Sequence, residues 1–210
     1  MPKPIRYLLF AVVFALLAYN SVYFRKLDEV KAGAAAFDAA GYAEDFWGKK
    51  LIPGLSKAVD LNALTAQLKT EKDKAFEQYS HALGIGNIRY FLVKGQGIVA
   101  DVSENEVSVK LIGAGEGAGN VRIATEYIFG NAVRDASGAI DINAFTNSMD
   151  FNNVSAEINE LIREKVVPPF KSKVKKGDRV TFHGAIELNR EHLQLNNIEI
   201  IPVSLQIEQP

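Results

Sequence analysis

Residues 90–111 read YFLVKGQGIVADVSENEVSVKL, and the alternation in this stretch decides the fold. Phe91, Val93 and Val99 alternate with Lys94 and Asp101. Glu104-Asn105 makes a turn, after which Val107, Val109 and Leu111 alternate with Ser108 and Lys110. Apolar residues recurring at a period of two mark half-buried strands. A glycine-rich connection at 113–120, GAGEGAGN, leads to a third alternating run, with Val121, Ile123, Tyr127 and Phe129 set against Arg122 and Glu126. Together these runs predict a three-stranded meander.

Towards the C-terminus the pattern changes to helical spacing. An irregular stretch, 130–152, precedes a helix that Asn153 is placed to cap, with Val154, Ile158, Leu161 and Ile162 on one face. Pro168-Pro169 is expected to stop it. Lys175 to Asp178 forms a turn, and Val180, Phe182, Ile186 and Leu188 alternate again. A last strand within 193–207 shifts phase near Asn196-Asn197, which implies a bulge, and Pro202 suits an edge or bulge position. Three strands, a helix and two strands make an α+β chain with the element order of an OB-like five-stranded, partly open barrel. An α+β sheet with helices on one face is the structural alternative.

The N-terminal side is expected to be helical. Within 27–51, Asp38 is an N-cap candidate and Tyr42, Phe46 and Trp47 fall near one face, with Pro53 ending the pattern. Asp60 is placed to cap a helix carrying Leu61, Leu64 and Leu68. Thr70 to Asp73 resembles a capping box, and Ala75, Phe76, Tyr79 and Leu83 recur before Gly84. The expected organisation is a membrane anchor or signal segment over 1–26, a helical segment over 27–86 and the barrel over 87–210.

The first segment contains YLLFAVVFALLAYNSVYF at 7–24, between Lys3 and Arg6 on one side and Arg25 and Lys26 on the other. At about 1.5 Å per residue it reaches roughly 27 Å as a helix, against a bilayer core of about 30 Å. An uncleaved transmembrane anchor helix is preferred to a cleaved signal. Cutting after Ala18 would leave Leu16 where a small residue is required, and the alanines near 32–36 lie beyond a charged stretch. The flanking charges barely orient the segment.

Composition narrows the function. The chain has 210 residues, a formal net charge of −1 and no cysteine. It therefore has no disulfide, no thiolate nucleophile and no thiol to acylate, and its near-neutral charge gives no general attraction to nucleic acid. The 113–119 glycines fail the dinucleotide fingerprint because Ala118 stands where a glycine is needed and a strand follows. His81, His183 and His192 have no zinc-type spacing, so no metal or cofactor is expected. G-x-S-x-G is absent. Glu44 with Asp45, and Asp141 with Asp150, read as caps and turn residues. Lys171, Lys173, Lys175, Lys176 and Arg179 read as a solvated turn. Of the strand aromatics Tyr90, Phe91, Tyr127, Phe129 and Phe182, most fit the inward phase and are expected in the core.

One stretch stands apart: 128–152, IFGNAVRDASGAIDINAFTNSMDFN. It combines small residues, aromatics and amides. Asn131, Arg134, Asp135 and Asn147 are the ligand-binding candidates. Arg134 and Asp135, being adjacent, need not pair with each other, and each is free to bind backbone groups or a distant partner. A polar network pinning a long loop to the barrel is the structural reading of the same residues.

Gly130 to Ala136, Phe145-Thr146-Asn147 and Phe151 leading into the 154–165 helix resemble an uncharacterised bacterial family of predicted periplasmic lipoproteins, domain of unknown function 2291. Phe182 to Ile186, the Ile200 to Leu205 ending, Phe37-Asp38 and Tyr42 to Trp47 extend the resemblance over roughly 20–207. It implies a domain facing the periplasm. It further implies an accessory role beside carbohydrate ABC transporters, as a binding or assembly factor. It carries no catalytic residue to this chain. The lipoprotein cysteine is missing, which favours attachment to the inner membrane by a single-pass helix. No enzyme activity is expected; the alternative is a cell-envelope enzyme acting on a glycan or small molecule through 128–152.

Overall fold

The computed structural model describes residues 3–21, 37–114 and 120–208. The chain divides into two compact units, Met1–Phe37 and Asp38–Pro210.

In the first unit, helix α1 spans Lys3–Ser21. Among the described residues no helix is long and apolar enough to cross a membrane. Residues 22–24 of the expected span lie outside the described residues. The structure therefore does not support the expected transmembrane anchor helix.

Among the described residues the second unit has seven strands: β1 (Val59–Asp60), β2 (Ser80–His81), β3 (Ile88–Val102), β4 (Glu106–Leu111), β5 (Val121–Ala124), β6 (Arg179–Asn189) and β7 (Glu199–Ile207). β3, β4 and β5 form the expected antiparallel meander. β5 pairs parallel with β7, β7 antiparallel with β6, and β6 antiparallel with β3, so the order 3-4-5-7-6 returns to β3. The β5–β7 junction rests on two residue pairs, Arg122 with Glu199 and Ile123 with Ile200, and the barrel is only partly closed there. β1 and β2 add to β3 outside the ring.

Two cores follow from the alternation along β3. Phe91 and Val93 point into the barrel with Val107, Val109, Ile123, Phe182, Ile186 and Ile200. Tyr90 and Leu92 point outwards into a second core with Ala185 and Val203. β3 is thus buried on both faces, which explains the unbroken apolar run at 90–93. Two helices, α3 (Leu61–Thr70) and α4 (Lys72–Tyr79), supply Leu61, Leu64, Leu68, Ala75 and Phe76 to the barrel core. The outer core is roofed by α2 (Ala39–Phe46), α5 (Ala132–Ala136) and α6 (Ser148–Leu161) through Phe46, Val133, Phe151, Val154 and Ile158.

Local signals succeeded where a side chain could satisfy free backbone N–H groups. Asp38 accepts from the Gly41 N–H at 2.9 Å and Asp60 from the Ala63 N–H at 3.0 Å. The Thr70 box does not form. Thr70 Oγ1 donates back to Ala66 and Gln67 carbonyls, and Asp73 is drawn to Arg190 at 2.9 Å. The prolines do not end their helices. Wide π-turns at Trp47–Leu51 and Ile162–Val166 realign the backbone so that Pro53 and Pro168 fall in the first turn of a continuing helical segment, where no N–H is required. The last of these, α7, is Val167–Lys171. α6 starts earlier than expected, because Asn147 rather than Asn153 caps it. β5 stops at Ala124, leaving Tyr127 and Phe129 62% and 72% exposed instead of in the core. The β6–β7 ladder shifts register between His183 and Gly184, opposite Pro202, as its proline required; Asn197 instead turns the preceding loop at φ 60°. Of the glycine-rich connection, residues 115–119 lie outside the described residues.

Candidate functional site

The four residues singled out from the sequence divide into three and one. Gly130 adopts φ +80°, a conformation glycine reaches without a Cβ penalty, and turns the chain from the end of β5 into α5. That turn places Asn131, Arg134 and Asp135 over the outer face of β3. Asp135 Oδ1 accepts from Arg134 Nε at 2.6 Å, and its Oδ2 accepts from Asn131 Nδ2 at 2.9 Å. Tyr90 OH donates to Asn131 Oδ1 at 3.3 Å, and Arg134 Nη1 donates to the Phe151 carbonyl at 3.2 Å. The guanidinium carbon lies 3.5 Å from the centre of the Phe151 ring.

Arg134 and Asp135 therefore pair with each other, although adjacency in sequence did not require it. Their side chains are 4% and 2% exposed. At that depth an unpaired charge is expensive, so the nearest opposite charge is taken even from the next residue. Burial raises the Tyr90 hydroxyl above its usual pKa, with Glu187 and Asp135 adding to the effect. Asn147 is elsewhere in role. It is exposed, accepts from the Asp150 N–H at 2.8 Å and donates to Asp150 Oδ2 at 2.7 Å, as the cap of α6.

Beside this sealed network lies an open groove of ≈ 360 Å³ between the 128–131 segment and one face of α6. α6 contributes Asn152, Ser155, Ala156 and Asn159, and the π-turn that follows adds Arg163, all at helical spacing along a single stripe. Asn159 Nδ2 holds the Gly130 carbonyl at 2.8 Å. Arg163, turned by the π-helical segment, donates to the Ile128 carbonyl and pairs with Glu160. Ser155 is 7% exposed, and its Oγ has no hydrogen-bond partner. A helical serine ordinarily bonds the carbonyl four residues back. Here that carbonyl belongs to Phe151 and receives Arg134. Phe129 stands at the edge of this groove and of a second one, ≈ 350 Å³, lined by Tyr127, Asn131, Glu187, Glu199 and Ile201.

Of the sequence candidates, only Asn131 reaches either groove. The residues missed are Tyr127, Phe129, Ser155 and Asn159. The signal for the last two was present: a small, polar stripe running alongside the apolar stripe of Val154, Ile158 and Leu161. Tyr127 and Phe129 carried the inward phase of a strand that ends three residues too early to bury them.

Other polar groups singled out from the sequence make local contacts. Glu44 pairs with Lys165 at 3.0 Å and Asp45 with Lys49 at 2.8 Å. Asp141 caps a short turn through the Asn143 N–H, and Lys171 bonds the Glu104 carbonyl. The His81 ring packs on Gly138, and His183 sits on β6 opposite Lys94 of β3. Among the described residues no group of three or more histidine, cysteine or carboxylate side chains is arranged to hold a metal.

A five-stranded ring closed in the order 3-4-5-7-6, with a helix between its third and fourth strands, defines an OB-fold protein. The chain is similar to a crystal structure of an OB-fold protein from Thermotoga maritima, with 25% sequence identity and a TM-score of 0.73, covering 82% of this chain and 99% of the other. By sequence the chain belongs to the family described as predicted periplasmic lipoprotein (DUF2291), matched over residues 12–206. No curated protein matches it. With no cysteine in its 210 residues, this member has no thiol to acylate.

Proposed function

We propose that this protein is a non-catalytic binding or assembly factor on the periplasmic side of the inner membrane, serving a carbohydrate ABC transporter. The observation that carries the reading is the exposed Phe129 ring between two open grooves, with Tyr127 beside it and amide side chains around it. An aromatic face ringed by hydrogen-bonding groups suits a polyhydroxylated ring, whose C–H face stacks while its hydroxyls find polar partners. Single-pass attachment through the apolar 7–24 run is the location that fits this role, since the chain lacks a lipid-accepting cysteine.

The alternative, a cell-envelope enzyme using 128–152, is weaker. Arg134 and Asp135, the charged groups of that segment best suited to chemistry, are buried on the inner side of α5 and bonded to each other. The test is purification of the full chain from detergent extracts, followed by mass identification of co-purifying proteins and saccharide titration. Recovery of carbohydrate-transporter subunits together with saccharide binding that Phe129→Ala abolishes is expected. The absence of both co-purification and saccharide binding would overturn the proposal.

A further inference from the structure

Building on that carbohydrate reading, we propose that Phe129 divides one saccharide site into two adjoining subsites, and that the pair selects a ligand of at least two rings bearing no acidic group. Phe129, Gly130 and Asn131 line both grooves, so the grooves share a wall and a single ligand can lie across it. Each volume, ≈ 360 and ≈ 350 Å³, falls at the small end of the roughly 300–1,000 Å³ of small-ligand sites, and the two together suit a longer ligand than either alone.

The first subsite is neutral. Its one cation, Arg163, is paired with Glu160 and donates to the Ile128 carbonyl, which leaves it little capacity to capture an anion. What the subsite offers is Asn152, Asn159 and the Ser155 hydroxyl. A buried hydroxyl without a partner costs roughly 1–3 kcal/mol, so it marks a place where a ligand hydroxyl gains more than it would on ordinary surface. The second subsite is acidic. Glu187 and Glu199 line it with Tyr127, and neither carboxylate is in an ion pair among the described residues. Those carboxylates accept hydrogen bonds from hydroxyl or ammonium groups and repel phosphate and uronate. Neutral and amine-bearing saccharides therefore fit both halves, and acidic ones clash with the second.

Calorimetric titration of the full chain in detergent tests this with cellobiose, maltose and diglucosamine against glucuronic acid and glucose 6-phosphate. At least one neutral or amino disaccharide is expected to bind at least tenfold more tightly than the acidic sugars. Phe129→Ala should abolish binding, and Ser155→Ala should weaken it about fivefold while leaving or raising the melting temperature. Glu187→Gln with Glu199→Gln should narrow the discrimination against acidic sugars. Disaccharide binding indifferent to Ser155→Ala and to the paired Gln substitutions would overturn the two-subsite assignment while leaving the carbohydrate role standing. Equal binding of acidic sugars would overturn the charge selection. Failure of every saccharide to bind, with transporter subunits still co-purified, would overturn both this inference and the binding half of the role, leaving an assembly factor.

Discussion

Asp135→Ala removes one carboxylate that satisfies two neighbours, and its cost can be worked from the geometry. The substitution deletes the 2.6 Å bond from Arg134 Nε and the 2.9 Å bond from Asn131 Nδ2. Arg134, 4% exposed, then keeps its charge with only the Phe151 carbonyl and ring as partners. Breaking a buried pair by removing one partner costs about 3–5 kcal/mol, because the other charge is left uncompensated. For a domain of about 150–250 residues, where 1 kcal/mol moves the midpoint by roughly 2–4 °C, the expected fall is about 6–20 °C. Arg134→Met should cost a similar amount. The double variant Arg134→Met/Asp135→Leu removes both charges and should be more stable than either single one. Thermal and urea unfolding of the four proteins at one pH provides the cycle. Single-variant losses below about 1 kcal/mol, or additivity in the double variant, would refute the claim that these residues form one closed structural unit.

Other outcomes follow from the same contacts. Asn147→Ala deletes the α6 cap and should lower stability by about 1 kcal/mol in urea melts, with saccharide affinity unchanged. Gly95→Ala would set a Cβ 2.6 Å from Cζ of the fully buried Phe182, so a loss of about 1–3 kcal/mol is expected, relieved when Phe182→Leu is added; no rescue would mean that the strand backbone, not the ring, sets the limit. Burial first, and Lys94 second, lower the His183 pKa. The unfolded chain therefore binds the more protons just below about pH 6.5, stability should fall as pH drops through that value, and His183→Gln should flatten this part of the stability–pH curve.

Much of the barrel was legible because alternation is a local consequence of one buried face. Val107, Val109 and Leu111 needed no tertiary information to be placed inwards. Asp38 and Asp60 were legible for a similar reason, since a cap satisfies N–H groups two or three residues away. The candidate site was legible only in part. Asn131, Arg134 and Asp135 were recognised as unusual; Arg134 and Asp135 are buried and bonded to each other, and only Asn131 touches an open groove. Ser155 and Asn159 were hidden because a polar stripe on a helix reads as solvent-facing until the chain that covers it is known.

The residues alone determined the five-strand order, the period of each strand, the caps at Asp38 and Asp60 and the absence of thiol chemistry. These depend on neighbours in sequence. Ring closure through β5 and β7, the pairing of Arg134 with Asp135 and the exposure of Tyr127 and Phe129 were decided by tertiary structure. Each depends on where a strand stops and on what a distant helix lays across it. β5 ends at Ala124 and α6 arrives from Asn147, and between those two events the aromatic residues of a presumed core become the walls of an open groove.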